Sequence, residues 1–92
     1  MPITHYNNFF TQGAFCGAQA TDYAMRPTCP ACVEGLLALT EQLVRCDAAT
    51  LDTLNLVGSN DERDRAAGNL FASQQSAAAW RELLTALRQQ AA

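Results

Sequence analysis

The only histidine and three of the four cysteines of this 92-residue chain fall in its first third, as His5, Cys16, Cys29 and Cys32. Imidazole nitrogen and thiolate sulfur are preferred zinc donors, and four of them close a tetrahedral structural site with no open position. Ten residues separate His5 from Cys16, twelve separate Cys16 from Cys29, and two separate Cys29 from Cys32. The run Cys29-Pro30-Ala31-Cys32 is the specific part of the pattern. A Cys-x-x-Cys turn leading into a helix brings two sulfurs to one ion, and the helix N-terminus favours thiolate over thiol. The expectation is a structural zinc held by His5, Cys16, Cys29 and Cys32. Two other readings stay open. Cys46 can replace His5 only if a helix breaks, because it lies fourteen residues past Cys32, about 21 Å of helical rise; otherwise it is a buried small apolar residue or a thiol outside the site. Without metal, Cys29 and Cys32 form a redox pair.

The elements needed to gather these donors are short. Residues 3–17 read as a β-hairpin, with Ile3-Thr4-His5-Tyr6 and Ala14-Phe15-Cys16-Gly17 as arms. Thr11-Gln12-Gly13 is the turn, with positive φ expected at Gly13. A fold about residues 10–11 sets His5 opposite Cys16, about 5 Å away across the strands. Residues 18–28 read as a connector. A helix should begin at the knuckle, capped by Thr28 or Cys29, with Pro30 at its first position and Glu34 in its first turn. Val33, Leu36, Leu37, Thr40, Leu43 and Val44 recur at helical spacing as far as Cys46. Gly35 weakens that helix by up to ~1 kcal/mol unless another element packs close to it. Residues 47–58 suggest a brief helix ended by Gly58. Ser59 and Glu62 form a capping box that opens a helical stretch to Gln90. Leu70, Ala77, Leu84 and Ala91, with Ser73, Trp80 and Leu87, make its apolar stripe, widened by Phe71 and Leu83. Gly68-Asn69 either splits this stretch or marks close packing.

The fold class expected is mainly α with a small N-terminal β-hairpin: a zinc-stapled finger packed on two to three helices. Residues 1–92 make one domain, with the finger at 1–32 and a helical body at 33–92. A chain this short has a marginal core, so a metal staple helps. Much of its apolar content is alanine; Phe9, Phe10, Phe15, Leu36, Leu37, Leu43, Leu70, Phe71, Trp80, Leu84 and Leu87 must supply most of the buried area.

His5, then Cys16-Gly17, then Thr28-Cys29-Pro30-Ala31-Cys32 opening a helix resembles small zinc-ribbon and treble-clef-like fingers. In particular it is similar to a His-Cys-Cys-Cys finger of short bacterial and phage proteins. The resemblance covers about residues 5–36 and implies a metal rather than a task.

Composition narrows the function classes. The net charge is −3 and all six cations are arginines. Scattered arginines on an acidic chain do not make the clustered basic face that phosphate binding needs. No apolar run reaches the roughly 18–20 residues of a membrane span, and no signal peptide is visible at Met1-Pro2-Ile3-Thr4-His5. A cytoplasmic location is expected, where cysteines are ligands or thiols rather than disulfides. A zinc deaminase needs His-x-Glu and Pro-Cys-x-x-Cys, which this chain lacks. No catalytic set or phosphate loop is present, and an enzyme is not expected. The leading expectation is a protein-interaction module, possible tasks including inhibition of a host defence complex by a phage or mobile-element protein. The stripe of Leu70, Trp80, Leu84 and Leu87 offers a homodimer face. The alternatives are a nucleic-acid accessory factor, and a redox sensor in which Cys29 and Cys32 oxidise and release zinc.

Overall fold

The structure is a computed structural model that describes residues 3–8, 13–17 and 22–91. Phe9, Phe10, the first two turn residues Thr11 and Gln12, and residues 18–21 of the connector lie outside the described residues. The order of elements is β1 (Asn7–Asn8), β2 (Gly13–Ala14), α1 (Pro30–Val57) and α2 (Asn60–Ala91). The chain is thus mainly α with a short N-terminal hairpin and two helices, as expected. It divides into two compact units. One comprises Met1–Leu37 with Trp80–Ala92, and the other Ala38–Ala79. The opening turns of α1 and the closing turns of α2 therefore cluster with the finger.

In the first unit, β1 and β2 pair antiparallel with Asn7 opposite Ala14 and Asn8 opposite Gly13. Continued by two residues, this register sets His5 opposite Cys16. The ladder is shorter than the arms expected at 3–6 and 14–17. Phe15 still donates its N–H to the Tyr6 carbonyl at 2.8 Å, but the Gly17 N–H turns back to the Ala14 carbonyl at 2.9 Å. Cys16 consequently sits in a turn. Positive φ falls at Gly17 (85°) rather than at Gly13, because the left-handed residue closes this second turn while Gly13 is extended in β2.

Upstream, the chain pairs with the connector instead of with β2. His5 donates its N–H to Asp22 and accepts the N–H of Ala24, at 2.9 and 2.8 Å. This makes a parallel bridge between His5 and Tyr23. The Thr4 carbonyl accepts the N–H groups of Thr28 and Cys29, at 3.0 and 2.9 Å. The Thr28 hydroxyl accepts the Thr4 N–H at 2.9 Å, and the Thr4 hydroxyl accepts the Thr28 N–H at 3.1 Å. These bonds hold the first strand against the residues that lead into the knuckle.

Cys29 caps α1, its carbonyl accepting the Val33 N–H at 3.1 Å, and Pro30 takes the first helical position, where its missing N–H costs nothing. Glu34 lies beyond the first turn, which holds no acidic residue, and pairs with Arg88 instead. Val33, Cys32 and Pro27 are fully buried, with Leu36, Ala14 and Leu84 close behind. The Tyr6 ring meets Phe15 and Trp80 edge-on, with centroids 6.3 and 6.5 Å apart. Gly35 has the close neighbour its position called for. A Cβ there would come within 2.6 Å of the Phe15 ring.

In the second unit, α1 continues unbroken through residues 47–57. Thr50 and Thr53 fit a helix interior because their hydroxyls donate to the carbonyls of Cys46 and Ala49, at 2.9 and 3.1 Å. Gly58 ends the helix with a bond to the Leu54 carbonyl. The capping box forms as expected. The Ser59 hydroxyl accepts the Glu62 N–H at 3.2 Å, and the Glu62 carboxylate accepts the Ser59 N–H at 3.3 Å. From there α2 runs as one helix without a break at Gly68-Asn69. Its buried members are Ala66, Ala77 and, in the first unit, Leu84, while Phe71 is 63% exposed and does not widen the stripe. At 100° per residue Phe71 stands about 140° from Ala66, well outside the buried arc. Leu43 likewise falls on the flank of α1 and is 50% exposed, beside the buried Thr40.

Candidate metal centre

Each of the four expected residues arrives on a different local structure. His5 comes from the extended segment before β1, bridged to residues 22–24. Cys16 comes from the turn closed by Gly17, Cys29 is the cap of α1, and Cys32 lies in its first turn. One donor atom from each lies within 4.8 Å of every other. The His5 Nδ1 is 3.5 Å from the Cys32 Sγ and 3.6 Å from the Cys16 Sγ. The Cys29 and Cys16 sulfurs are 3.9 Å apart. None of the four cysteines forms a disulfide. The arrangement can hold a metal ion, with three sulfurs and one nitrogen gathered within 4.8 Å of one another.

Burial grades the donors. Cys32 is 0% exposed and Cys29 8%, while His5 and Cys16 are half-buried. Burial pushes the Cys32 thiol up, because its thiolate loses water; peptide N–H groups of Tyr6 and Cys16 directed at the sulfur pull the other way. A cation at the centre of the cluster would complete what those N–H groups begin, replacing three protons and satisfying the buried sulfur. Ala14, Cys29 and Cys32 form one buried cluster, packed by Tyr6, Phe15 and Cys16. The donors are thus built into the core of their unit.

Cys46 stands outside this set. It lies on unbroken α1 and is exposed, so it is neither a buried apolar residue nor able to replace His5. Two parts of the support were not recognised in the sequence. One is the bridge from His5 to residues 22–24, and the other is the reciprocal Thr4–Thr28 clip. The β-branched pair Thr4 and Thr28, each next to a ligand, was the available signal for the clip. Asp22–Ala24 carries no alternation that marks a strand.

No family model, curated protein or solved structure matches the chain. Among the described residues, no helix is long and apolar enough to cross a membrane.

Proposed function

We propose that the chain is a non-enzymatic protein-interaction module whose N-terminal half is shaped by one structural zinc ion on His5, Cys16, Cys29 and Cys32. The donor spacing carries this reading. Tetrahedral zinc with bonds of about 2.05 Å to nitrogen and about 2.3 Å to sulfur has edges of about 3.6 Å (N···S) and about 3.8 Å (S···S). Three of the six donor–donor distances, 3.5, 3.6 and 3.9 Å, match those edges, and all six lie within 4.8 Å. Soft sulfur-rich sets favour zinc over magnesium or calcium. A full set of four protein ligands leaves no position for substrate or water, which supports a structural rather than a catalytic ion.

The interaction half of the proposal draws on the second unit. Leu39, Leu43, Leu56, Val57 and Phe71 are all exposed there and available to a partner. The stripe on α2 is partly used within the chain, since Leu84 is buried and Trp80 meets Tyr6.

Cobalt substitution tests the zinc reading. A tetrahedral sulfur-rich site gives strong visible d–d absorption, lost on addition of one equivalent of zinc. Weak octahedral absorption contradicts the site. For the interaction reading, tagged wild-type chain is expected to recover a near-stoichiometric protein partner from its host. A Leu39→Ser/Leu43→Ser/Phe71→Ser chain is expected to lose it. Recovery unaffected by the triple substitution removes this surface from the account.

A further inference from the structure

We propose that hydroperoxide oxidises this centre through Cys16 and closes a Cys16–Cys29 disulfide, expelling the metal while the hairpin stays fastened to α1. The proposal rests on the metal-centre reading and names how that centre is regulated. It differs from an oxidation confined to Cys29 and Cys32, because the three sulfurs are not equivalent.

Access separates them first. Cys16 lies in a surface turn and is half-buried, whereas Cys29 is 8% and Cys32 0% exposed. Thiolate reactivity follows access and electron density at sulfur. Cys32 loses on both counts, since peptide N–H groups of Tyr6 and Cys16 are directed at its sulfur. Cys29 has its sulfur 3.9 Å from that of Cys16; the Cys32 sulfur also touches both others, so burial and its peptide N–H bonds, not distance, leave Cys29 as the second partner.

The chemistry balances with hydroperoxide as the only oxidant. The Cys16 thiolate attacks one peroxide oxygen; the O–O bond breaks, a sulfenic acid forms and hydroxide leaves. The Cys29 thiolate then attacks the Cys16 sulfur, forming the S–S bond and breaking the S–O bond, and a second hydroxide leaves. Two electrons pass from the two sulfurs to the peroxide. Two protons from solvent turn both hydroxides into water. The ion is left with His5 and Cys32, too few donors to retain it against solvent.

The choice of partner decides what the switch does. A Cys29–Cys32 bond joins the cap and first turn of α1 and adds no crosslink to the hairpin. A Cys16–Cys29 bond joins the turn after β2 to the cap of α1, so the crosslink replaces the ion as a staple. Oxidation then removes the metal without releasing the finger.

The test treats the zinc-loaded full chain with hydrogen peroxide, follows zinc with a chromogenic chelator, and locates the disulfide by tandem mass spectrometry without reduction. The expected result is one zinc lost per Cys16–Cys29 bond, with Cys32 afterwards open to alkylation. The oxidised metal-free chain should also melt above the reduced metal-free chain, and Cys46→Ser should release zinc at the wild-type rate. A Cys29–Cys32 bond, or equal melting of the two metal-free forms, overturns the proposal, as does oxidant consumed only at Cys46 with zinc retained. Elemental analysis of the starting material separates the two readings. If it finds no metal, the metal-centre reading fails, and disulfide mapping on the metal-free chain still decides the order of the sulfurs.

Discussion

The two units bury different things. The unit formed by Met1–Leu37 and Trp80–Ala92 buries Val33, Leu36, Leu84, Pro27 and two of its ligand cysteines, with aromatic rings packed edge-on around them. Ala38–Ala79 buries Ala66, Ala77 and Thr40, half-buries Val44, Leu51, Leu54 and Leu70, and leaves Leu39, Leu43, Leu56, Val57 and Phe71 exposed. The first unit has little regular secondary structure before α1 and depends on side chains meeting at one point. The second is nearly all helix, with a capping box at the start of α2 and buried Ala66 and Ala77. A short chain can thus combine two devices: a His/Cys cluster able to hold a metal where strands are too short to be stable alone, and long helices with strong end signals where the core is thin.

The sharpest way to break this contrast is to disable the His5, Cys16, Cys29 and Cys32 cluster. Structural zinc supplies roughly 10–16 kcal/mol in finger peptides near neutral pH, comparable with the whole stability of an ordinary domain. Cys32→Ser, or a strong chelator, is therefore expected to abolish hydrogen-exchange protection at the His5, Ala24, Thr28 and Cys29 amides. Protection within 60–79 should persist. Loss of both together would show that the contrast is wrong.

A matched pair of glycines tests it more finely. Gly35→Ala forces a methyl to within 2.6 Å of the Phe15 ring. Overpacking of this kind costs about 1–3 kcal/mol, against a helix-propensity gain of about 1 kcal/mol. Chemical denaturation should show a net loss of up to about 2 kcal/mol. Gly68 has nothing within 4 Å of the corresponding position, so Gly68→Ala should instead raise stability by up to ~1 kcal/mol. The same substitution thus changes sign between the units. Equal effects would mean that Phe15 does not pack on α1.

Ser59→Ala should cost about 1 kcal/mol through loss of the capping box, read as a lower melting temperature with the metal retained. Glu34→Gln is the smallest effect. The Arg88–Glu34 pair is over half exposed on both sides, and such pairs contribute about 0–1 kcal/mol. A shift well beyond that range would give the pair a structural role.

Much of the candidate site was legible because its signals are local or arithmetic. The turn position alone set His5 opposite Cys16, and the observed pairs Asn7–Ala14 and Asn8–Gly13 keep that register. Pro30 after Cys29 marked the start of α1, and Ser59 with Glu62 marked that of α2. The need for a neighbour at Gly35 followed from its cost in a helix. What escaped depends on partners distant in sequence. Asp22–Ala24 pairs with His5 through backbone groups alone, so its side chains carry no pattern. The length of α1 was hidden by Thr50 and Thr53, whose low helix propensity is offset by bonds to the preceding turn. Phe71 and Leu43 misled because hydrophobic type was read as burial, while a narrow core of alanines leaves no room for them.

The central claim is that one ion joins the hairpin to the start of α1. Native mass spectrometry of the chain purified without added metal tests it most directly. The account predicts one zinc per chain, absent from the Cys32→Ser chain. A metal-free wild-type chain whose melting temperature does not respond to added zinc would contradict it.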